Sequence, residues 1–167
     1  DCVPVHERWG PTTAVVLAAG AGRRFRGPKQ LAIVGEGSEP MVVRAVRCAL
    51  DSDATEVIVV TGAYQEEVAR CLSECFGSRA QLRVVHNAAW SEGQATSLHT
   101  GLRALDSGVQ AVMFLPADQP NLDSLLLRCL LRRWRGGSDL VAPIVGGAVR
   151  GAPALFDRRY WPELFAV

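Results

Sequence analysis

At 167 residues the chain has the length of one ordinary domain, long enough to bury most of its apolar surface in a single core. Hydrophobic residues at 49% and charged residues at 21% exclude a disordered or low-complexity chain. Eighteen Lys and Arg against seventeen Asp and Glu leave a formal charge of +1, which provides no field for non-specific nucleic-acid binding, so any anion site must be local.

Residues 1–12 carry charges and prolines without the apolar stretch of a signal peptide and read as a loose N-terminal arm, with residues 13–167 as the globular domain. The run TAVVLAA (13–19) reads as a buried strand that leads straight into Leu17-Ala18-Ala19-Gly20-Ala21-Gly22-Arg23-Arg24-Phe25-Arg26-Gly27-Pro28-Lys29. Small residues let this backbone turn sharply and bring N–H groups against a phosphate, while Arg24 and Lys29 add charge suited to a polyphosphate. Arg23 is a weaker candidate, a solvated neighbour. The dinucleotide fingerprint would need glycine where Phe25 stands, and the P-loop would need Gly-Lys-Ser/Thr where Gly27-Pro28-Lys29-Gln30 stands; neither pattern is met.

Helical periodicity over 41–50 is followed by a strand, EVIVVTG (56–62), a helix over 65–75 and a strand, LRVVH (82–86). His86 at that strand end reads as a structural histidine, and His99, inside a later helix, is assigned nothing. Asn87 reads equally as a contact to ribose or base and as a turn residue, and Trp90 reads as packing. Gly93, Gln94 and Ser97 stand at the start of a helix over 96–105, where free N–H groups suit a phosphate or a base carbonyl. The strand AVMFLPA (111–117) is closed by Asp118, where a carboxylate meets solvent and ligand together; Mg²⁺ takes one or two such carboxylates along with phosphate oxygens and water. Asp123 reads as the capping residue of a helix over 122–134, and DLVAPIV (139–145) completes the series as a strand.

Strands alternating with helices predict a three-layer α/β fold, a doubly wound and mostly parallel sheet that binds ligands beyond the carboxyl ends of its strands. The apolar runs fall under half of what a bilayer-spanning helix needs, so no membrane span is expected and the cytoplasm is the default location. Five cysteines (Cys2, Cys48, Cys71, Cys75, Cys129) without a C-x-x-C pair argue against a disulfide framework or structural zinc. A soft-metal site of Cys71, Cys75 and His86 is outweighed by the ordinary reading of reduced core thiols.

The string L-A-A-G-x-G-x-R with Pro28-Lys29 downstream resembles the signature of the MobA-like nucleotidyltransferases. Three further segments are similar to that family in order and spacing: His86 to Leu98 with its asparagine, aromatic, glycine and serine; Pro116-Ala117-Asp118-Gln119-Pro120 at the metal-binding strand end; and Arg150-Gly151-Ala152-Pro153-Ala154-Leu155-Phe156 on the acceptor side. The resemblance covers roughly residues 13–164 and implies a Rossmann-like fold of the nucleotide-diphospho-sugar transferase type. It implies an enzyme in which Ala18, Ala19 and Gly20 lie against the base, Arg24 and Lys29 hold the phosphates, and Leu17 and Gly22 belong to the same nucleotide site. Asn87, Gly93, Gln94 and Ser97 complete the nucleotide site, Asp118 binds Mg²⁺ with Mn²⁺ as the alternative, and Arg150, Gly151 and Pro153 contact the acceptor. Arg24, Lys29 and Asp118 are then the catalytic set.

Within the family, Leu-Ala-Ala-Gly is more like the molybdenum cofactor cytidylyltransferases than the guanylyltransferases, which usually carry Leu-Ala-Gly-Gly. The implied reaction moves CMP from CTP to molybdopterin with release of pyrophosphate, and a molybdoenzyme is the implied protein partner. Two other readings stay open, a sugar- or polyol-phosphate nucleotidyltransferase and a non-catalytic carrier of the molybdenum cofactor. Arg26 stands where the family usually has glycine, and Ala152 where histidine or asparagine is common. Relatives usually continue past the position of Val167, so the domain is expected to lack the usual C-terminal segment.

Overall fold

The computed structural model of the chain describes residues 8–23, 25, 27–34 and 38–167. Its main sheet has six strands: β1 (Thr12–Ala18), β2 (Glu56–Thr61), β3 (Leu82–His86), β4 (Ala111–Pro116), β5 (Leu140–Val141) and, after a separate hairpin, β8 (Ala154–Asp157). The order is β3-β2-β1-β4-β8-β5; β1 runs parallel to β2 and β4, β2 parallel to β3, and β8 antiparallel to both β4 and β5. The helices are α1 (Met41–Leu50), α2 (Gln65–Phe76), α3 (Gln94–Arg103), α4 (Ser124–Arg135) and α5 (Trp161–Phe165). This is the mostly parallel, doubly wound α/β architecture that the alternation of elements predicts. Among the described residues, no helix is long and apolar enough to cross a membrane.

The central strands are apolar on both faces because each face is covered. Ala14, Val16 and Ala18 of β1 join α1, α2 and α4 in one cluster, whereas Val15 and Ala19 join α3 and α5 in the other. Period-two alternation thus feeds two cores, and a fully buried Val or Leu contributes roughly 1.5–3 kcal/mol to holding its layer. On the second face α3 lies unusually close: a Cβ on Gly101 would meet Val15 Cγ1 at 2.7 Å. Glycine there sets the depth of the helix whose N-terminus reaches the site described below. Asp123 caps α4, its side chain accepting from Leu125 N at 2.9 Å, as expected from its position.

The strand expected over 139–145 is corrected. Only Leu140–Val141 joins the sheet; Pro143, which has no N–H to donate, follows, and Ile144–Val145 (β6) pairs instead with Ala148–Val149 (β7). Gly146 and Gly147 connect them with φ of 60° and 80°, two left-handed residues in succession, the conformation that a type I′ hairpin turn requires. The place beside β4 is taken by β8 (Ala154–Asp157), which begins within the segment 150–156 that the resemblance places on the acceptor side.

Residues 8–11 precede β1, and Arg8 is fastened to residues more than 130 positions away in sequence, at the same end of the sheet as the start of β1. Its guanidinium donates to Asp157 at 2.9 Å and to Asp139 at 2.5 Å, and Arg159 donates to the same two carboxylates at 3.2 and 2.9 Å. Burial pushes the Asp157 carboxyl up. The indole N–H of buried Trp134, the Arg159 backbone N–H and the two guanidinium groups outweigh that and hold it below the ordinary range. A depressed carboxylate contributes stability that is present above the ordinary Asp pKa and lost as pH falls through the depressed one. Asp157→Ala is therefore expected to cost about 1–3 kcal/mol at neutral pH, since Trp134 Nε1 loses its acceptor at 2.8 Å. The deficit should shrink on acidification below about pH 4, where the parent loses the same contribution. Urea melts of parent and variant at a series of pH values check this, and a pH-independent difference would contradict it.

Candidate active site

β1 and β4 are neighbours with Leu17 opposite Pro116, and their connections leave toward opposite edges of the sheet. Such a switch point opens a crevice beyond the strand ends. Here it is a cleft of about 330 Å³. Its floor is the chain leaving β1, from Leu17 to Gly20. One wall is Lys29 and Gln30, from a short 3-10 turn over Lys29–Leu31; the facing wall is Pro116, Ala117 and Asp118. Trp90, Gly93, Gln94 and Ser97, around the start of α3, close the third side.

Local chain chemistry accounts for the loop. Gly22 has φ of 59°, Phe25 N donates to Gly22 O at 2.8 Å, and a Cβ on Gly22 would collide with the Gly27 carbonyl. Only glycine permits this closure. On the floor, Ala63 N donates to Ala19 O at 3.2 Å, and a Cβ on Gly62 would meet Ala19 O at 2.5 Å and Trp90 Cβ at 2.7 Å. Gly62 therefore lets the end of β2 approach the floor and the tryptophan at the same time.

Across the mouth, Lys29 Nζ donates to Asp118 Oδ2 at 2.8 Å, with side chains 43% and 45% exposed. A cation and an anion from opposite walls thus meet at the mouth of the cleft. Asp118 is free of any capping role, since Asp123 caps α4. Among the described residues no group of three or more His, Cys, Asp or Glu is gathered to hold a metal. A single half-exposed carboxylate fits Mg²⁺ that arrives on a triphosphate, because that ion keeps water and phosphate oxygens as most of its ligands.

The structure brings most of the expected residues to one place: Leu17, Ala18, Ala19, Gly20, Gly22, Lys29, Gly93, Gln94, Ser97 and Asp118 all line the cleft. Arg24 and Arg26 lie outside the described residues. Arg23 is exposed and lines an adjoining hollow of about 320 Å³ with Gly22, Phe25 and Lys29. Asn87 stands one layer behind the lining. It is 3% exposed; its Nδ2 donates to Thr96 Oγ1 at 2.8 Å and Ser97 Oγ at 3.0 Å, and its Oδ1 accepts from Ala89 N at 3.0 Å. Of its two sequence readings, the turn residue is the one this geometry matches, and it fixes Ser97 from behind.

Arg150, Gly151 and Pro153 do not line the cleft. Arg150 N donates to Pro143 O at 2.8 Å, Pro153 is buried, and Gln119 Nε2 donates to Ala152 O at 3.2 Å, so the segment is moored to the end of β4 two residues past Pro116-Ala117. Sequence reasoning passed over Gln30 and Gly62 and left Trp90 as packing. Trp90 does pack on the floor, but it also presents a face to the cleft.

A family model described as "MobA-like NTP transferase domain" matches residues 14–167. Among curated proteins, the "Bifunctional protein GlmU" of Sorangium cellulosum (strain So ce56) is 30% identical over 113 residues, 68% of this chain and 24% of that protein. The matched part of the chain thus spans about a quarter of that relative. Among solved structures, a nucleotidyl transferase from Methanothermobacter thermautotroptrophicus superposes with a TM-score of 0.77 at 24% identity, covering 94% of this chain and 76% of that one. Rv0371c of Mycobacterium tuberculosis H37Rv, in complex with manganese, gives 0.72 at 22% identity, covering 95% and 76%. These likenesses establish the fold.

Proposed function

The chain belongs to the MobA-like NTP transferase domain family, a family of nucleotidyltransferases, and from that premise we propose that it moves CMP from CTP to molybdopterin. The observation that carries the reading is the pairing of Lys29 with Asp118 across a cleft whose floor is the Leu-Ala-Ala-Gly turn. In this reaction an oxygen of the acceptor phosphate attacks the α-phosphorus, the bond from that phosphorus to the β-phosphate bridging oxygen breaks, and pyrophosphate leaves with the electron pair. The acceptor is already anionic, so no strong base is needed; the work is positioning and charge stabilisation.

On this reading, residues 13–167 are the transferase domain, Ala18, Ala19 and Gly20 support the base, and Gly93, Gln94 and Ser97 meet a phosphate or a base carbonyl at the start of α3. Lys29 and Arg24 hold the phosphates. Asp118 is the protein's ligand to Mg²⁺ or Mn²⁺, and the manganese bound by a protein of the same fold supports a divalent ion here. Bound there, the ion would neutralise charge on the triphosphate oxygens. Arg150, Gly151 and Pro153, moored next to Asp118 through Gln119, would bound the acceptor side.

The test is pyrophosphate release from CTP, GTP, UTP and ATP, each with molybdopterin and, separately, with a sugar phosphate. Release with CTP and molybdopterin is expected. Release only with the sugar phosphate would reassign the acceptor, and tight molybdopterin binding without release would point to a carrier.

Base choice rests on Ala19, which stands where guanylyl-transferring relatives usually carry a second glycine. Its methyl lies beside Gly62 in the cluster that Trp90 packs against, and takes up room on the floor of the cleft. A pocket narrowed in this way crowds a bicyclic purine more than a pyrimidine. Ala19→Gly should raise GTP use relative to CTP, by no more than roughly 10- to 200-fold, the range that one methyl can supply. Competition kinetics on parent and variant decide it. A parent that prefers GTP would refute the cytidylyl reading, and an unchanged ratio would place selectivity elsewhere.

A further inference from the structure

Gln30 is 4% exposed and lines the cleft, yet it carries no charge and belongs to none of the groups that hold phosphate or metal. Its side-chain Nε2 donates to two carbonyls of the chain leaving β1, Ala18 O and Gly20 O, each at 3.3 Å. Two backbone acceptors fix which end of the amide faces the loop. The peptide unit is planar and trans, so a carbonyl and the N–H that follows it point in opposite directions. Holding Ala18 O and Gly20 O toward Gln30 therefore turns the N–H groups of Ala19 and Ala21 the other way.

We propose that Gln30 is a positioning residue for the nucleotide: its one amide sets the aim of the Ala19 and Ala21 N–H groups and keeps two loop carbonyls from facing an anionic ligand. It also sits next to Lys29 in the same 3-10 turn, so the anchor beneath the loop is the anchor of the lysine that crosses to Asp118. This rests on the reading of the cleft as a nucleoside triphosphate site and names the residue that keeps its floor in a binding conformation.

The substitution that isolates the role is Gln30→Glu. A carboxylate has the shape of the amide but no donor, and it would face two carbonyl oxygens; protonated, it regains one O–H donor. Burial and the two acceptors favour the protonated form and raise its pKa. Calorimetry with CTP and Mg²⁺ on the full chain is therefore expected to show Gln30→Glu binding about 10- to 100-fold more weakly than the parent near pH 8, the loss expected for two donors. The ratio of the two affinities should move part of the way toward one as pH falls toward about 5.5, because protonation restores one of the two donors. Taking the ratio at each pH removes the titration of CTP itself. Gln30→Leu, which restores no donor, should stay weak across the range, and thermal melts check that each variant is folded. Equal binding by Gln30→Glu and the parent near pH 8, or a ratio that does not move with pH, overturns the proposal while leaving the triphosphate site standing. A parent that binds none of CTP, GTP, UTP or ATP overturns that site and the proposal together.

Discussion

Asp118→Asn should lower metal-dependent pyrophosphate release by about 10²–10³-fold, the usual loss when one preorganised electrostatic group is removed from a transfer site, with the fold intact. The amide keeps the shape of the side chain and gives up the charge that holds a divalent cation. Stability should hardly change, because the only ion pair of Asp118 among the described residues is the half-exposed one with Lys29, and exposed pairs contribute about 0–1 kcal/mol. Turnover measured against Mg²⁺ concentration, with a thermal melt alongside, separates the two effects. Full activity at limiting Mg²⁺ would remove Asp118 from the metal site.

Lys29→Ala should weaken CTP binding by about 10- to 150-fold, as expected for a lost charge-assisted hydrogen bond, while cytidine binding shifts by less than about twofold. The contrast follows from where the lysine stands. Its stem rises from the wall beside Gln30, its ammonium reaches across to Asp118 at the mouth, and the floor of Ala18, Ala19 and Gly20 lies beneath. On the proposed reading a nucleoside would touch the floor, whereas only the polyphosphate would reach the mouth. Calorimetry with CTP and with cytidine reads the difference directly, and equal losses would mean that Lys29 shapes the cleft instead of meeting phosphate.

The features easiest to see in the sequence were those imposed by burial. β1, β2 and β4 are near-continuous apolar runs because helices cover both their faces, and runs of that kind locate a parallel sheet and the strand ends where Gly20 and Asp118 stand. Features that depend on pairing partners were harder to read. The stretch 139–145 is apolar like a buried strand, and Pro143 within it marks a break without showing that the residues beyond it pair as a hairpin. The signal lay further on, in Gly146-Gly147 between two apolar pairs. β8 was hidden because an antiparallel strand inserted beside β4 depends on a contact more than forty residues distant in sequence, from Val112 to Phe156.

In the site, charge and glycine spacing marked Lys29, Asp118 and the loop, whereas Gln30 acts through hydrogen bonds to backbone carbonyls, which leave no residue-type signature. Asn87 shows the converse. Its residue type suits ligand and turn alike, and only the partners of its amide in the fold, Thr96, Ser97 and Ala89, distinguish them.

On the proposed reading, Lys29 and Asp118 each hold the place of the other's ligand: the ammonium meets the carboxylate as a cation would, and the carboxylate meets the ammonium as a phosphate oxygen would. With Asp118 assigned to the metal, a bare divalent ion arriving there frees an ammonium that has no anion, and a metal-free triphosphate arriving at Lys29 frees a carboxylate that has no cation. The metal-nucleotide complex exchanges both partners in one event, ion for ion. Occupancy of the two positions is then coupled with positive sign, and by reciprocity the factor by which nucleotide raises metal affinity equals the factor by which metal raises nucleotide affinity. Because solvent reaches 43% and 45% of the two side chains, the pair's own share of that factor is about fivefold at most.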